Sequence, residues 1–347
     1  MNPKFFDPAN AGKWSYDPNL RALAEEAPSY RKGSGIKMAA TDKKRVALLL
    51  IDMQRDFCFP EGTLYVGGRS GTGAVDDSRR IAEFIYREMG SISSVIPTMD
   101  THEPFQIFTP SFWLDQNGNA LLPHDIIDGN MQVIRGGQPS GLRASVNPAI
   151  TRDVVGANNF TWLEKQVEFY AAELARSGKY PLYVWPEHCV LGGMGHTLVG
   201  IVQEARMFHS YIRNTQNSVQ VKGGNPLTEN YSIFGPEVTS RWDKSGTIAQ
   251  KNAAFLNLLL NYDAVIIAGQ ASSHCVKSSI DDLLGEIQAK DPALAQKVAV
   301  LRDCTSAVVV PGLIDFTDDA EKAFDRYAAA GMKIVSSMDP IASWIGR

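Results

Sequence analysis

The chain is poor in cysteine. Cys58, Cys189, Cys275 and Cys304 are the only four in 347 residues, and they stand far apart with no CxxC pair. That spacing excludes a disulfide framework in a chain of this size and leads us to expect free thiols in a reducing cytoplasm. No apolar run approaches the roughly 18 residues a membrane helix needs. The opening residues, MNPKFFDPANAGKW, lack the basic segment and apolar stretch of a secretory signal. An excess of positive charge is also missing. With 34 Lys+Arg against 38 Asp+Glu the formal net charge is −4, so neither nucleic acid nor an anionic membrane is expected as a partner. Repeats and low-complexity tracts are absent. What is left is ordinary globular material, 44% hydrophobic and 21% charged, long enough to bury a large core.

Six apolar segments recur along the chain: KRVALLLIDMQ, SSVIPTMD (93–100), SVQVKGG (218–224), DAVIIAGQ (263–270), KVAVLRDC (297–304) and MKIVSSMD (332–339). Continuous apolar runs of this length are typical of strands buried on both faces of a parallel sheet. Between them lie helix-like stretches such as VDDSRRIAEFIYREMG, TLVGIVQEARMFHSYI, IAQKNAAFLNLLLNY, CVKSSIDDLLGEIQAK and TDDAEKAFDRYAAAG. The alternation predicts an α/β fold: a doubly wound, mainly parallel six-stranded sheet with helices on both faces. Residues 1–43 read as an N-terminal extension with one short helical stretch, LRALAEEA. Residues 44–347 read as one domain, interrupted at about 104–184 by a Gly/Asn/Pro-rich loop and a helix, TWLEKQVEFYAAELARSG.

Ligands of such sheets bind beyond the carboxyl ends of the strands, so the residues there carry the candidate chemistry. Asp52 follows the first strand. Asp100 and His102 end the second, projecting to the same side of an extended segment, as ligands to one metal would. His188, in VWPEHC, can supply a third ligand; His124, His196 and His209 are alternatives, the last inside a helical pattern. Lys222 ends the third strand before a glycine pair, an unusual place for a solvated lysine. After the fourth comes GQASSHC, a small-residue turn that sets Cys275 at a helix start, where the dipole and free N–H groups favour a thiolate. The same N–H groups can stabilise an oxyanion.

Taken together, ALLLIDMQRDFCFPEGTL, MDTH, WPEHC, VKGGNPLTENYSIF and GQASSHCV, in that order, resemble the motifs of the isochorismatase-like cysteine hydrolases, nicotinamidase branch. The resemblance implies the isochorismatase-like hydrolase fold and a triad of Cys275 as nucleophile, Asp52 as proton carrier and Lys222 as the cation that holds them in register. It implies an oxyanion hole from the N–H groups of Ala271 and Cys275, with a cis peptide at Gln270–Ala271. Asp100, His102 and His188 are implied as ligands of a divalent metal, Zn²⁺ first, with Fe²⁺ or Mn²⁺ also fitting the donor set. Phe57 and Trp185 match pocket aromatics, and His274 joins them as a pocket residue rather than as the base of Cys275. The implied activity is hydrolysis of a small, heteroaromatic amide to acid and ammonia through a thioester, by a homo-oligomer.

Departures from that pattern are specific. Gln106 stands where a further histidine is often found, and Ser273 replaces an acidic residue two before the nucleophile. The segment between DTH and WPEHC is much longer, and the N-terminal arm is extra. Two other readings remain at this level: a metal-activated water with Cys275 incidental, or a silent binding or assembly protein. The intact set of Asp52, Lys222 and Cys275 argues against the second.

Overall fold

The computed structural model describes residues 3–178 and 180–345. Its centre is a six-stranded parallel sheet. We number the strands β1 (Val46–Ile51), β2 (Ser94–Asp100), β3 (Gln220–Lys222), β4 (Ala264–Gly269), β5 (Val298–Leu301) and β6 (Lys333–Val335), which lie in the order β6-β5-β4-β1-β2-β3. The chain thus moves outward from β1 to β3, then returns to build β4 to β6 on the other side. Right-handed crossovers in these opposite directions set helices on opposite faces. The helices of eight residues or more are α1 (Leu20–Ser34), α2 (Gly73–Arg87), α3 (Phe160–Ser177), α4 (Gly200–Arg213), α5 (Ala253–Leu260), α6 (Cys275–Lys290) and α7 (Thr317–Ala329). Helices α2 and α4 pack together in one layer, α6 and α7 in the other.

The central strands explain the sequence pattern. Every residue of β1, VALLLI, and of β4, AVIIAG, is buried, because each strand is covered on both faces. Their pairing ends at Ile51 opposite Gly269. A Cβ on Gly269, whose φ is 116°, would stand 2.1 Å from the Ile51 carbonyl, so only glycine allows the two strand ends to approach this closely. Where the strand order reverses, between β1 and β4, Asp52 and the 270–275 turn emerge side by side. That is the switch point at which open α/β sheets bind ligands.

The N-terminal arm packs on α4 and α2. Phe5 meets Phe208 edge-on at 4.9 Å, Leu23 and Ala27 of α1 are buried, and Arg55, which opens the short helical turn Arg55–Cys58, donates to Asp17. The 104–184 region holds more regular structure than its composition predicts. Alongside α3 it forms a five-stranded antiparallel sheet from Trp113–Asp115, Ile126–Ile127, Gln132–Arg135, Gln138–Val146 and Leu182–Tyr183. These strands are short, and left-handed glycines such as Gly136 and Gly137 join two of them. Their alternation is therefore hidden among turn residues. The stretch IAQKNAAFLNLLLNY becomes helical only from Ala253, where Asn252 caps the helix by accepting from the Phe255 N–H.

Candidate active site

Asp52 is fully buried at the end of β1 with a φ of 45°, which turns the chain out of the strand. Thr98 holds it: the hydroxyl accepts the Asp52 N–H at 3.0 Å and donates to Oδ1. Oδ2 is left facing Lys222 Nζ, 3.0 Å away. Lys222 reaches the same point because Asp100 and Lys222 are register partners in β2 and β3. Its ammonium also lies 3.0 Å from Asp100 Oδ1 and 3.6 Å from Cys275 Sγ, and donates to the Asn230 carbonyl at 2.8 Å. The site thus places a cation against two carboxylates and a thiol, all buried. The Asp52 and Asp100 carboxylates and the Cys275 sulfur lie within 4.8 Å of one another, a cluster whose cation position Lys222 already fills.

Burial dominates the protonation states. It raises the Asp52 carboxyl above its ordinary range, with Lys222 opposing and Asp100 assisting. It raises the Cys275 thiol further, against the pull of Lys222. The resting thiol is therefore protonated, and forming the nucleophile needs a nearby acceptor. Asp52, its carboxylate within 4.8 Å of the Cys275 sulfur, is positioned to be one. His274 is not: burial, then Lys277, lower its pKa to about 3, and its Nδ1 bonds Ser273 Oγ at 2.9 Å. Its ring is stacked on Tyr180 at 5.1 Å and meets Trp185 and Tyr231 edge-on.

Cys275 is the first residue of α6. In the turn before it, Ser272 N–H donates to Ser306 O, while His274 and Val276 N–H donate to Ala271 O. The N–H groups of Ala271 and Cys275 donate to no acceptor among the described residues. The Ser273 N–H is a third free donor of the turn, and the Gln270–Ala271 peptide is cis. Tyr180 OH donates to Ser273 O, so the end of the 104–184 region touches this turn directly.

Asp100, His102 and His188 offer one ligand atom each, all within 4.8 Å. The two rings are oriented for coordination. His102 Nδ1 donates to the His188 carbonyl at 2.9 Å and His188 Nδ1 to the Pro186 carbonyl at 2.7 Å, which fixes both Nε2 lone pairs toward Asp100. Asp100 Oδ1 and His102 Nε2 are buried without a hydrogen-bond partner, and a Cβ on Gly223 would fall 2.4 and 2.9 Å from them. Ligand atoms of one carboxylate and two imidazoles, gathered beside a space that glycine keeps open, fit a divalent cation. The other histidines lie elsewhere. His196 bonds Thr101 Oγ1 at 2.8 Å, His124 meets Tyr183, and His209 donates from Nε2 to the Ile92 carbonyl while its Nδ1 accepts from Asn217 Nδ2. Gln106 spends its amide on the Asn225 carbonyl and the Glu103 N–H, so it adds no ligand.

Part of this cluster opens onto a cavity. Phe57, Trp185 and His274 line it, as the sequence motifs imply, with Asp100, His188, Ala271 and Cys275. Leu64, Val66, Glu229, Tyr231, Gln270 and Val308 also line it and were not singled out from sequence. Tyr231 could have been found: it lies in the quoted VKGGNPLTENYSIF stretch, and its hydroxyl accepts from Trp185 Nε1 at 2.9 Å. Thr98 had a signal too, two residues before Asp100 on the same face of β2.

No family model matches the chain, and no curated protein matches it in sequence. Solved structures are similar to it. A nicotinamidase/pyrazinamidase from Acinetobacter baumanii covers 86% of this chain and 99% of its own, with a TM-score of 0.48 and 16% identity. The yeast nicotinamidase bound to the inhibitor nicotinaldehyde covers 84% and 99%, with a TM-score of 0.47 and 17% identity. A Pyrococcus horikoshii pyrazinamidase in complex with zinc covers 84% and 99%, with a TM-score of 0.43 and 19% identity.

Proposed function

We propose that the chain is a cysteine amidohydrolase acting on a small aromatic or heteroaromatic amide. The observation that carries this reading is the placement of Lys222 Nζ, 3.0 Å from Asp52 and 3.6 Å from Cys275 at the wall of an aromatic-lined cavity. In the proposed reaction Asp52 takes the Cys275 proton and the sulfur attacks the amide carbonyl carbon. The resulting oxyanion lies against the N–H groups of Ala271 and Cys275, which compete with no internal acceptor. Asp52 then gives its proton to the amide nitrogen, the C–N bond breaks and ammonia leaves. Water, deprotonated by Asp52, attacks the thioester; the C–S bond breaks, and acid and thiol are released. Lys222 stays charged throughout and favours each anionic partner in turn.

Asp100, His102 and His188 would hold the divalent metal, with Zn²⁺ first among the candidates. When bound it supplies a Lewis acid that fixes a ring nitrogen or a water at one end of the cavity. Phe57 and Trp185 supply flat walls for a ring, and the neutral His274 adds a third aromatic surface.

Ammonia release from a panel of aromatic amides, compared between the native chain and Cys275→Ala, tests the reading. Loss of turnover in the variant, with an aldehyde analogue forming a mass-detected adduct on Cys275 of the native chain, is the expected result. Undiminished turnover by the variant would point to attack by water and remove Cys275 from the mechanism.

A further inference from the structure

A second groove, of about 790 Å³, lies between the N-terminal arm and the outer edge of the sheet and shares no lining residue with the Cys275 cavity. Met99, Leu198 and Val219 give it apolar surface, and Asp17, Gln203 and Arg206 its polar groups. Arg206, on α4, is only 8% exposed. Its Nη1 donates to Gln203 Oε1 at 2.9 Å and its Nη2 to the Asn217 carbonyl at 2.7 Å, but Nε is buried with no partner. No carboxylate pairs with it among the described residues, and burial lowers its pKa below the ordinary guanidinium value. The one acid in the groove, Asp17, is committed to Arg55.

A buried guanidinium with no counter-ion is costly, and a bound anion offsets that cost. We propose that this groove binds a small organic monocarboxylate, its carboxylate set against Arg206 and its apolar body along Met99, Leu198 and Val219. A single negative charge matches the single free cation. A phosphate dianion would leave charge unpaired against apolar walls and beside Asp17.

Calorimetric titration with benzoate tests this, using the full chain carrying Cys275→Ala so that benzamide, the neutral control for the ring, is not turned over. The expected result is saturable benzoate binding that excess benzamide does not displace. That binding weakens about ten-fold or more in Arg206→Met. It is also lost in Val219→Trp, which fills the groove with Arg206 intact and decides the matter should Arg206→Met not fold. Absence of saturable benzoate binding overturns the assignment, as does binding unchanged in both variants, the behaviour of a ligand seated beside residue 275. Dimerisation that Val219→Trp abolishes, without any response to benzoate, overturns it too, because the groove would then take a second copy of the chain.

Discussion

Lys222 Nζ lies 3.0 Å from Asp100 Oδ1, so the cation that faces Cys275 and the carboxylate that faces two histidines form one buried ion pair. The Asp52–Cys275 half and the Asp100–His102–His188 half of the site are therefore joined through a contact between neighbouring strands.

Lys222→Met removes the cation from between Asp52 and Asp100 and leaves two buried carboxylates facing each other. Breaking a buried pair by deleting one partner costs about 3–5 kcal/mol. We expect a loss of that order in denaturant-measured stability together with loss of amide turnover. A variant that melts like the native chain would show that Lys222 is not the charge that balances the site.

Gly223→Ala probes the metal-ligand half. The new Cβ would sit 2.4 Å from Asp100 Oδ1, at a φ of 88° that an L side chain rarely adopts. Displaced ligands lower metal affinity, here by about 10–100-fold if the effect matches loss of an orienting contact. Metal content by elemental analysis after dialysis against a chelator should fall relative to the native chain. Equal metal content in the two would place the cation elsewhere.

Asp77, on α2, is buried and accepts from Gln270 Nε2 at 2.8 Å and Ser306 Oγ at 2.7 Å, while Ser306 O receives the Ser272 N–H. It thereby positions the turn that carries the free N–H groups of Ala271 and Cys275. Asp77→Asn turns one acceptor into a donor that faces donors. Small misplacements at a reacting centre cost up to about a hundred-fold in rate. The expected outcome is a kcat lowered about ten- to a hundred-fold with KM nearly unchanged. A rise in KM alone would assign Asp77 to the pocket wall instead.

Much of this arrangement was legible in the sequence because strand ends are. The apolar runs VALLLI and AVIIAG announce buried parallel strands, and the residues immediately after each run must emerge at one edge of the sheet. Asp52, Asp100, Lys222 and Cys275 were legible for that reason. Tyr180 and Val308 were not: they come from the end of the 104–184 region and from a loop after β5, and only tertiary packing brings them to the turn before Cys275. The antiparallel sheet of residues 113–183 was missed because strands of two to four residues make up most of it, too short for an alternating pattern to register. The polar link that holds Gln270, Asp77, carries no local signature either, since a helical Asp looks ordinary until its partners are known.

Glu204 offers a test of the arm against pH. It lies buried on α4, accepting from Tyr86 OH at 2.8 Å and from Tyr16 OH of the arm. Burial raises its carboxyl above the usual 4.5; the two tyrosine hydroxyls oppose that shift and the charge of Asp7 adds to it. The folded chain therefore holds this proton more tightly than the unfolded chain. The stability it contributes is fully present below pH 4.5 and is lost as pH rises through the higher folded value. Glu204→Gln keeps an acceptor and carries no charge, so its melting temperature should gain on the native chain as pH rises from 4.5 toward neutrality, by on the order of a few °C. Calorimetric scans of both proteins across that range give the difference directly. A difference that stays constant with pH would mean that Glu204 titrates alike in both states and that the arm is held by its apolar contacts, Phe5 on Phe208 and Leu23 and Ala27 on α4, rather than by this proton.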